Sequence, residues 1–194
     1  GENLPFKKFN PPIFTDLNLN FKSNKKYIII SPGSSSLYKN WPLANFEKLT
    51  REILKKYKLN IIICGTRSEK ALIKEIIKNI NSDNIFIRIN QTLLEFIEMI
   101  RNSILVIGND SSAIHMANFV NKKSICLYGG LVPGRFLPYP KRIRNSPLIA
   151  SNKKCKSLNW RCSDYHNCLL QINCGNVLEL IEKKGLIPKK LIKK

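Results

Sequence analysis

Five short runs of apolar, largely β-branched residues recur along the chain: Tyr27-Ile28-Ile29-Ile30, Asn60 to Cys64, Ile85 to Ile87, Ile104 to Ile107 and Ser124 to Tyr128. Runs of this kind carry almost no polar residues, which is the pattern of strands buried on both faces rather than on one. Between them lie segments whose apolar residues fall at helical spacing. The first runs from about Leu43 to Tyr57, with Phe46, Leu49, Ile53 and Leu54 on one side. Others are expected from Glu69 to about Ile80, from Leu93 to Arg101, and after Ser112. Strands that alternate with helices pair through right-handed crossovers, so the pattern predicts an α/β fold: a Rossmann-like parallel sheet with helices on both faces.

The ends of the chain read differently. Residues 1–24 hold Pro5, Pro11 and Pro12 without a sustained period, which suits a linker or an extended strap. After Gly130 the regularity lapses through Pro133, Pro138, Pro140 and Pro147, where a ladder is not expected to continue. A last amphipathic helix is expected from about Asn176 to Lys184, with Val177, Leu180 and Ile181 on one face and a stop at Gly185. The Lys-rich tail from Lys189 is expected to fray.

Composition sets the class of partner. The 194 residues suffice for one core with an appendage, and 43% hydrophobic residues exclude a wholly disordered chain. No apolar run approaches the roughly 18 residues of a membrane span, and no signal core is evident at the start, so the protein is expected in the cytoplasm. Thirty-three Lys and Arg against 13 Asp and Glu give a formal charge of +20. Such a field favours anionic partners, although a chain so rich in Ile, Asn and Lys also fits the codon drift of an AT-rich genome. A nucleic-acid partner is not expected, because no helix-turn-helix, zinc finger or aromatic RNA-binding stripe accompanies the charge. Of six cysteines, Cys64 and Cys126 sit in apolar runs as core residues. Cys155, Cys162, Cys168 and Cys174 crowd the C-terminal region beside His166, but without a C-x2-C knuckle, so packing is expected and zinc is the alternative.

In an open parallel sheet, ligands bind beyond the carboxyl ends of the strands, so the loops there are informative. The loop Pro32-Gly33-Ser34-Ser35-Ser36-Leu37-Tyr38-Lys39 offers hydroxyls, backbone N–H groups and one cation. It is either a phosphate cradle or a flexible serine loop, and it lacks the second glycine of a nucleotide-triphosphatase loop. Glu69, after Gly65-Thr66-Arg67-Ser68, either complements a helix dipole or binds a ribose. Gly108-Asn109-Asp110-Ser111-Ser112-Ala113-Ile114-His115 feeds hydroxyl residues into a helix start, where free N–H groups favour an anion, with Ser112 and His115 on one side of the first turn. A capped helix with a partly buried histidine is the structural alternative.

Taken together and in order, Pro32-Gly33-Ser34-Ser35, Lys39-Asn40-Trp41-Pro42, Cys64-Gly65 with Glu69, Gln91-Thr92-Leu93, Asn109-Asp110-Ser111 with His115 and Ala117, and Leu127-Tyr128-Gly129 resemble the C-terminal half of glycosyltransferase family 9, the heptosyltransferases of lipopolysaccharide synthesis. The resemblance covers roughly Tyr27 to Gly130 and extends more weakly to Cys168 and the last helix. It implies the donor-binding C-terminal domain of a two-domain GT-B enzyme that needs no metal or other cofactor. On that basis residues 25–150 form a nucleotide-sugar-binding domain, and residues 151–194 add a Cys-containing segment and the terminal helix. It further implies that Ser34, Ser35 and Lys39 meet the diphosphate, Glu69 the ribose and Gln91 the base region, with Asp110, Ser111, Ser112 and His115 at the diphosphate and donor sugar. Lys39 and Asp110 are the residues expected to act on transition-state charge and donor position. The family pattern has glycine at Ser112, so an extra side chain is expected at the phosphates. Arg135 is a further candidate cation at the same edge. The implied partners are a nucleotide-diphosphate sugar such as ADP-heptose, a glycolipid or oligosaccharide acceptor, and the anionic inner membrane. The domain that supplies the general base is expected to lie outside this chain, so the segment alone is expected not to turn over; a stand-alone nucleotide-binding module without catalysis, or a basic nucleic-acid-binding protein, is the alternative.

Overall fold

The computed structural model describes residues 26–36, 39–129, 137, 148–149 and 167–193. Six strands, β1 (Tyr27–Ser31), β2 (Asn60–Gly65), β3 (Ile85–Ile89), β4 (Val106–Asn109), β5 (Ser124–Leu127) and β6 (Leu148–Ile149), form one sheet in the order β3-β2-β1-β4-β5-β6. Every neighbouring pair is parallel. The helices are α1 (Leu43–Lys56), α2 (Lys70–Ile77), α3 (Leu93–Asn102), α4 (Ser112–Phe119), α5 (Asn167–Leu170) and α6 (Cys174–Lys183). The α/β parallel sheet expected from the alternation is therefore the architecture found.

The period of two along each strand divides the core. Ile28 and Ile30 pair in register with Ile61 and Ile63. With Ile107, Ile125 and Leu127 they make one face, covered by Phe46, Leu49 and Ile53 of α1, Ile73 and Ile76 of α2, and Val177 and Ile181 of α6. Tyr27, Ile29, Ile62, Cys64, Val106 and Cys126 make the other face, covered by Met99 and Ile100 of α3 and Ala113, Ile114 and Ala117 of α4. The strand isoleucines among them are 2% exposed or less, so each contributes on the order of 2 kcal/mol by burial.

Several element boundaries differ from the expectation. Strand β4 starts two residues later and continues through Gly108 and Asn109. Gly108 is admitted because it lies against β1, where a Cβ would meet the Ser31 carbonyl oxygen at 2.7 Å. Helix α2 stops at Ile77, where Ile80 turns back to donate its N–H to the Ile77 carbonyl at 2.8 Å. Helix α6 begins at Cys174, before the expected Asn176, because Asn173 and Asn176 form a reciprocal capping box. Beyond Gly130 the ladder was expected to end, yet β6 extends it beside β5, with Leu148 opposite Ile125. It follows directly on Pro147, and a proline just before an edge strand removes no ladder donor from the interior.

The tail is ordered rather than frayed. A 3₁₀ turn at Lys189–Leu191 leads to a bridge between Ile192 and Tyr57. The Lys58 N–H donates to the Leu191 carbonyl at 2.6 Å, and the Lys193 N–H to the Lys56 carbonyl at 2.8 Å. The Lys193 ammonium also donates to the Leu54 carbonyl. Carbonyls that the last turn of α1 leaves unpaired find partners in this tail, which is why it docks. The proposed linker at 1–24, and Arg135, Cys155, Cys162 and His166, lie outside the described residues.

Candidate functional site

The strand order reverses direction between β1 and β4: the chain builds outward through β2 and β3, then returns to add β4, β5 and β6. Loops leaving β1 and β4 therefore diverge and leave a crevice at the carboxyl edge. A cleft of about 520 Å³ occupies that position. Its walls come from Ser31 and Gly33 to Ser35 after β1, from Gly65, Thr66, Ser68 and Glu69 after β2, from Asn90, Gln91 and Phe96 after β3, and from Ser111 and Ser112 after β4.

Below the cleft, the loops after β1 and β4 are stitched by side-chain amides. Asn109, fully buried, accepts the Trp41 backbone N–H at 2.9 Å and donates to the Pro32 carbonyl at 2.6 Å and to Asn40 Oδ1 at 3.3 Å. Ser34 Oγ lies 2.7 Å from both Asn40 Oδ1 and the Ser36 carbonyl. The Trp41 indole donates to the Ile172 carbonyl at 2.7 Å and meets Phe46 edge-on, with ring centroids 4.9 Å apart. The base of the serine loop is thus fastened at Pro32 and Asn40, and the Ser34 hydroxyl bonds within this segment.

Of the residues expected at the site, Ser34, Ser35, Glu69, Gln91, Ser111 and Ser112 line the cleft. Lys39, Asp110 and His115 form a polar cluster beside it and are not in its wall. Lys39 Nζ stands 2.9 Å from Asp110 Oδ2, with the two side chains 12% and 6% exposed. His115 Nε2 stands 3.5 Å from Asp110 Oδ1, longer than the roughly 3 Å of a well-formed bond. Burial alone would push the Asp110 carboxyl up, but the His115 imidazole and the Lys39 ammonium outweigh it and hold its pKa below the usual carboxylate value.

Glu69 meets the structural reading that the sequence allowed, as an acidic group at a helix start. It closes a capping box by accepting the Thr66 N–H at 2.7 Å, and its carboxylate projects over Gly33, where a Cβ would fall 1.7 Å from Oε1. The start of α4 is less complete. Among the described residues its N-cap Ser111 makes no side-chain cap bond, and the buried Ser111 Oγ has no hydrogen-bond partner. Ser111 and Ser112 line the cleft, and a helix start without a side-chain cap is suited to an anion.

Thr66, Ser68, Asn90 and Phe96 also line the cleft, and sequence reasoning did not single them out. Asn90 adopts a φ of 62°, a conformation that asparagine tolerates, so its place directly after a strand was a readable turn signal. Thr66 and Glu69 fit the capping-box spacing, as do Thr92 and Glu95 at the start of α3. Among the described residues there is no group of three or more His, Cys, Asp and Glu that could hold a metal ion. Cys174 is a buried thiol outside any disulfide among the described residues. Among the same residues no helix is long and apolar enough to cross a membrane.

A parallel sheet reversing at β1 and β4, with a hydroxyl-lined cleft at that point, defines a doubly wound α/β class of domain, in which ligands bind at the reversal. Residues 6–166 match the model of glycosyltransferase family 9 (heptosyltransferase), and the chain belongs to that family. It is similar to lipopolysaccharide heptosyltransferase 1 of Campylobacter coli, 34% identical over 164 residues that make up 82% of this chain and 47% of the relative. Among solved structures it is similar to the E. coli ADP-heptose lipopolysaccharide heptosyltransferase II, with a TM-score of 0.69, 20% identity, and coverage of 86% of this chain and 48% of that one. It is also similar to E. coli heptosyltransferase WaaC with ADP, with a TM-score of 0.65, 16% identity, and coverage of 82% and 44%. The chain thus spans about half the length of these relatives.

Proposed function

We propose that this chain is the donor-binding half of a glycosyltransferase that moves a heptose from ADP-heptose to a lipopolysaccharide core acceptor. The observation that carries the reading is the cleft at the sheet's reversal point, where the uncapped start of α4 and the unpartnered Ser111 hydroxyl meet the serine loop after β1. Family membership supports the class of reaction, and the ADP-heptose named for E. coli heptosyltransferase II and the ADP held by WaaC support the donor.

On this reading the diphosphate lies between Ser35 and the start of α4, within reach of Lys39, and Glu69 accepts hydrogen bonds from the ribose hydroxyls. Gln91 and its neighbours Asn90 and Phe96 take the base, and Ser111, Ser112 and His115 border the phosphates and sugar. When the acceptor hydroxyl attacks the anomeric carbon, the glycosidic bond to phosphate breaks and charge gathers on the departing diphosphate. Lys39 and the N–H groups of α4 stabilise that charge more in the transition state than in the ground state. The proton of the acceptor hydroxyl is left to groups beyond the described residues. The net charge of +20 suits contact with an anionic membrane that presents the acceptor.

The test is a calorimetric titration of the chain with ADP, UDP, GDP and CDP at low and high salt. ADP is expected to bind selectively, and Lys39→Ala to weaken it by about tenfold or more. In the full-length enzyme the same substitution is expected to lower turnover by about 10² to 10³. Equal weak binding of all four nucleotides that disappears with salt would overturn the proposal.

A further inference from the structure

The Lys39–Asp110 ion pair poses a question that donor binding by itself does not answer. The ammonium assigned to the diphosphate is already committed, at 2.9 Å, to a carboxylate whose side chain is 6% exposed. Asp110 has little freedom to follow a ligand, because Asn109 beside it is fully buried and bonded to Trp41, Pro32 and Asn40. Lys39 precedes α1 on a flexible four-carbon stem, so it is the partner that can move. A buried carboxylate deserted by its cation would be costly, but His115 stands 3.5 Å from the other carboxylate oxygen, in the first turn of the helix that Asp110 leads into.

We propose that Lys39 is a partner-exchange latch: it pairs with Asp110 in the free protein and transfers to the phosphate oxygens of a nucleoside diphosphate, while His115 closes on Asp110 in its place. Asp110 is then a positioning residue that competes with the ligand for Lys39. This competition sets a threshold that a diphosphate passes and a less charged nucleoside ligand does not. The inference rests on the donor-binding reading, and it predicts an effect opposite in sign to that of direct ligand contact by Asp110.

The experiment is a double-mutant cycle on the whole chain, read as ADP affinity by calorimetry, with circular dichroism to establish that each variant is folded. Asp110→Asn is expected to tighten ADP by about tenfold, the scale of one charge-assisted bond no longer broken, and to tighten AMP at least as much. Asp110→Ser, smaller and also uncharged, is expected to move affinity the same way. In a Lys39→Ala background either substitution is expected to change affinity by less than about twofold, because no latch remains. Weaker binding in both Asp110 variants overturns the latch and makes Asp110 a direct contact. Tightening that persists undiminished without Lys39 also overturns it and makes Asp110 a plain repulsive charge. A wild-type chain that binds no nucleotide, or a Lys39→Ala variant that binds like wild type, instead overturns the donor-binding reading on which the inference stands.

Discussion

Gly108 lies inside β4 and Gly33 two residues beyond the end of β1, and their surroundings differ. A methyl group on Gly108 would press on the Ser31 backbone oxygen at 2.7 Å, and two hydrogen-bonded strands cannot separate there cheaply. Gly108→Ala is therefore expected to lower unfolding stability by about 2 to 3 kcal/mol in urea titrations. The atoms nearest to a methyl on Gly33 belong to the far end of the Glu69 side chain, which can rotate away. Gly33→Ala is expected to cost less than about 1 kcal/mol while displacing the carboxylate and weakening nucleotide binding. Asn109 is a third case. Asn109→Ala leaves the Trp41 N–H and the Pro32 carbonyl without their partner inside the protein, so a loss of about 2 to 4 kcal/mol is expected from the same titrations. The residue types at these positions were legible as a loop motif. Asn109 as the joint between two loops was not, because its partners lie 68 and 77 residues away.

The helices show how far periodicity reaches. The apolar spacing of α1 fixed the face it buries, and Phe46, Leu49 and Ile53 are fully buried as expected. Boundaries followed side-chain chemistry instead: the boxes at Thr66 and Glu69, Thr92 and Glu95, and Asn173 and Asn176 each set a start. The C-terminal tail was misjudged because lysine content signals solvent. What holds it is the end of α1, whose carbonyls accept from Lys193, together with the Lys58 N–H donated to the Leu191 carbonyl and the Tyr57 to Ile192 bridge. Removing residues 189–194 is expected to lower stability by about 1 to 3 kcal/mol, since orphaned carbonyls return to water while packing on Tyr57 is lost. An unchanged urea midpoint after that truncation would mean that the tail contributes nothing to α1.

Across the whole molecule, two opposite pKa shifts bound the pH range of stability. Asp110 titrates lower folded than unfolded, so its contribution is full above the unfolded carboxylate range and is lost as pH falls through the folded value. Cys64 is the reverse: burial lifts its thiol from the usual 9.0 to about 12, and Cys126 is raised for the same reason. Their contribution is full below pH 9.0 and is lost as pH rises toward the folded value. The urea midpoint is therefore expected to fall between about pH 8 and about pH 10.5, and to fall less in Cys64→Ala.

The strand-helix alternation, the strand faces and the loops that carry polar groups were determined by local sequence, because burial on both sides of a strand and helical spacing both leave short-range patterns. The strand order, the cleft at its reversal point, the withdrawal of Lys39 onto Asp110 and the docking of the tail were decided only by the tertiary structure. These depend on which distant segments come within hydrogen-bond distance, and no period or local motif encodes that.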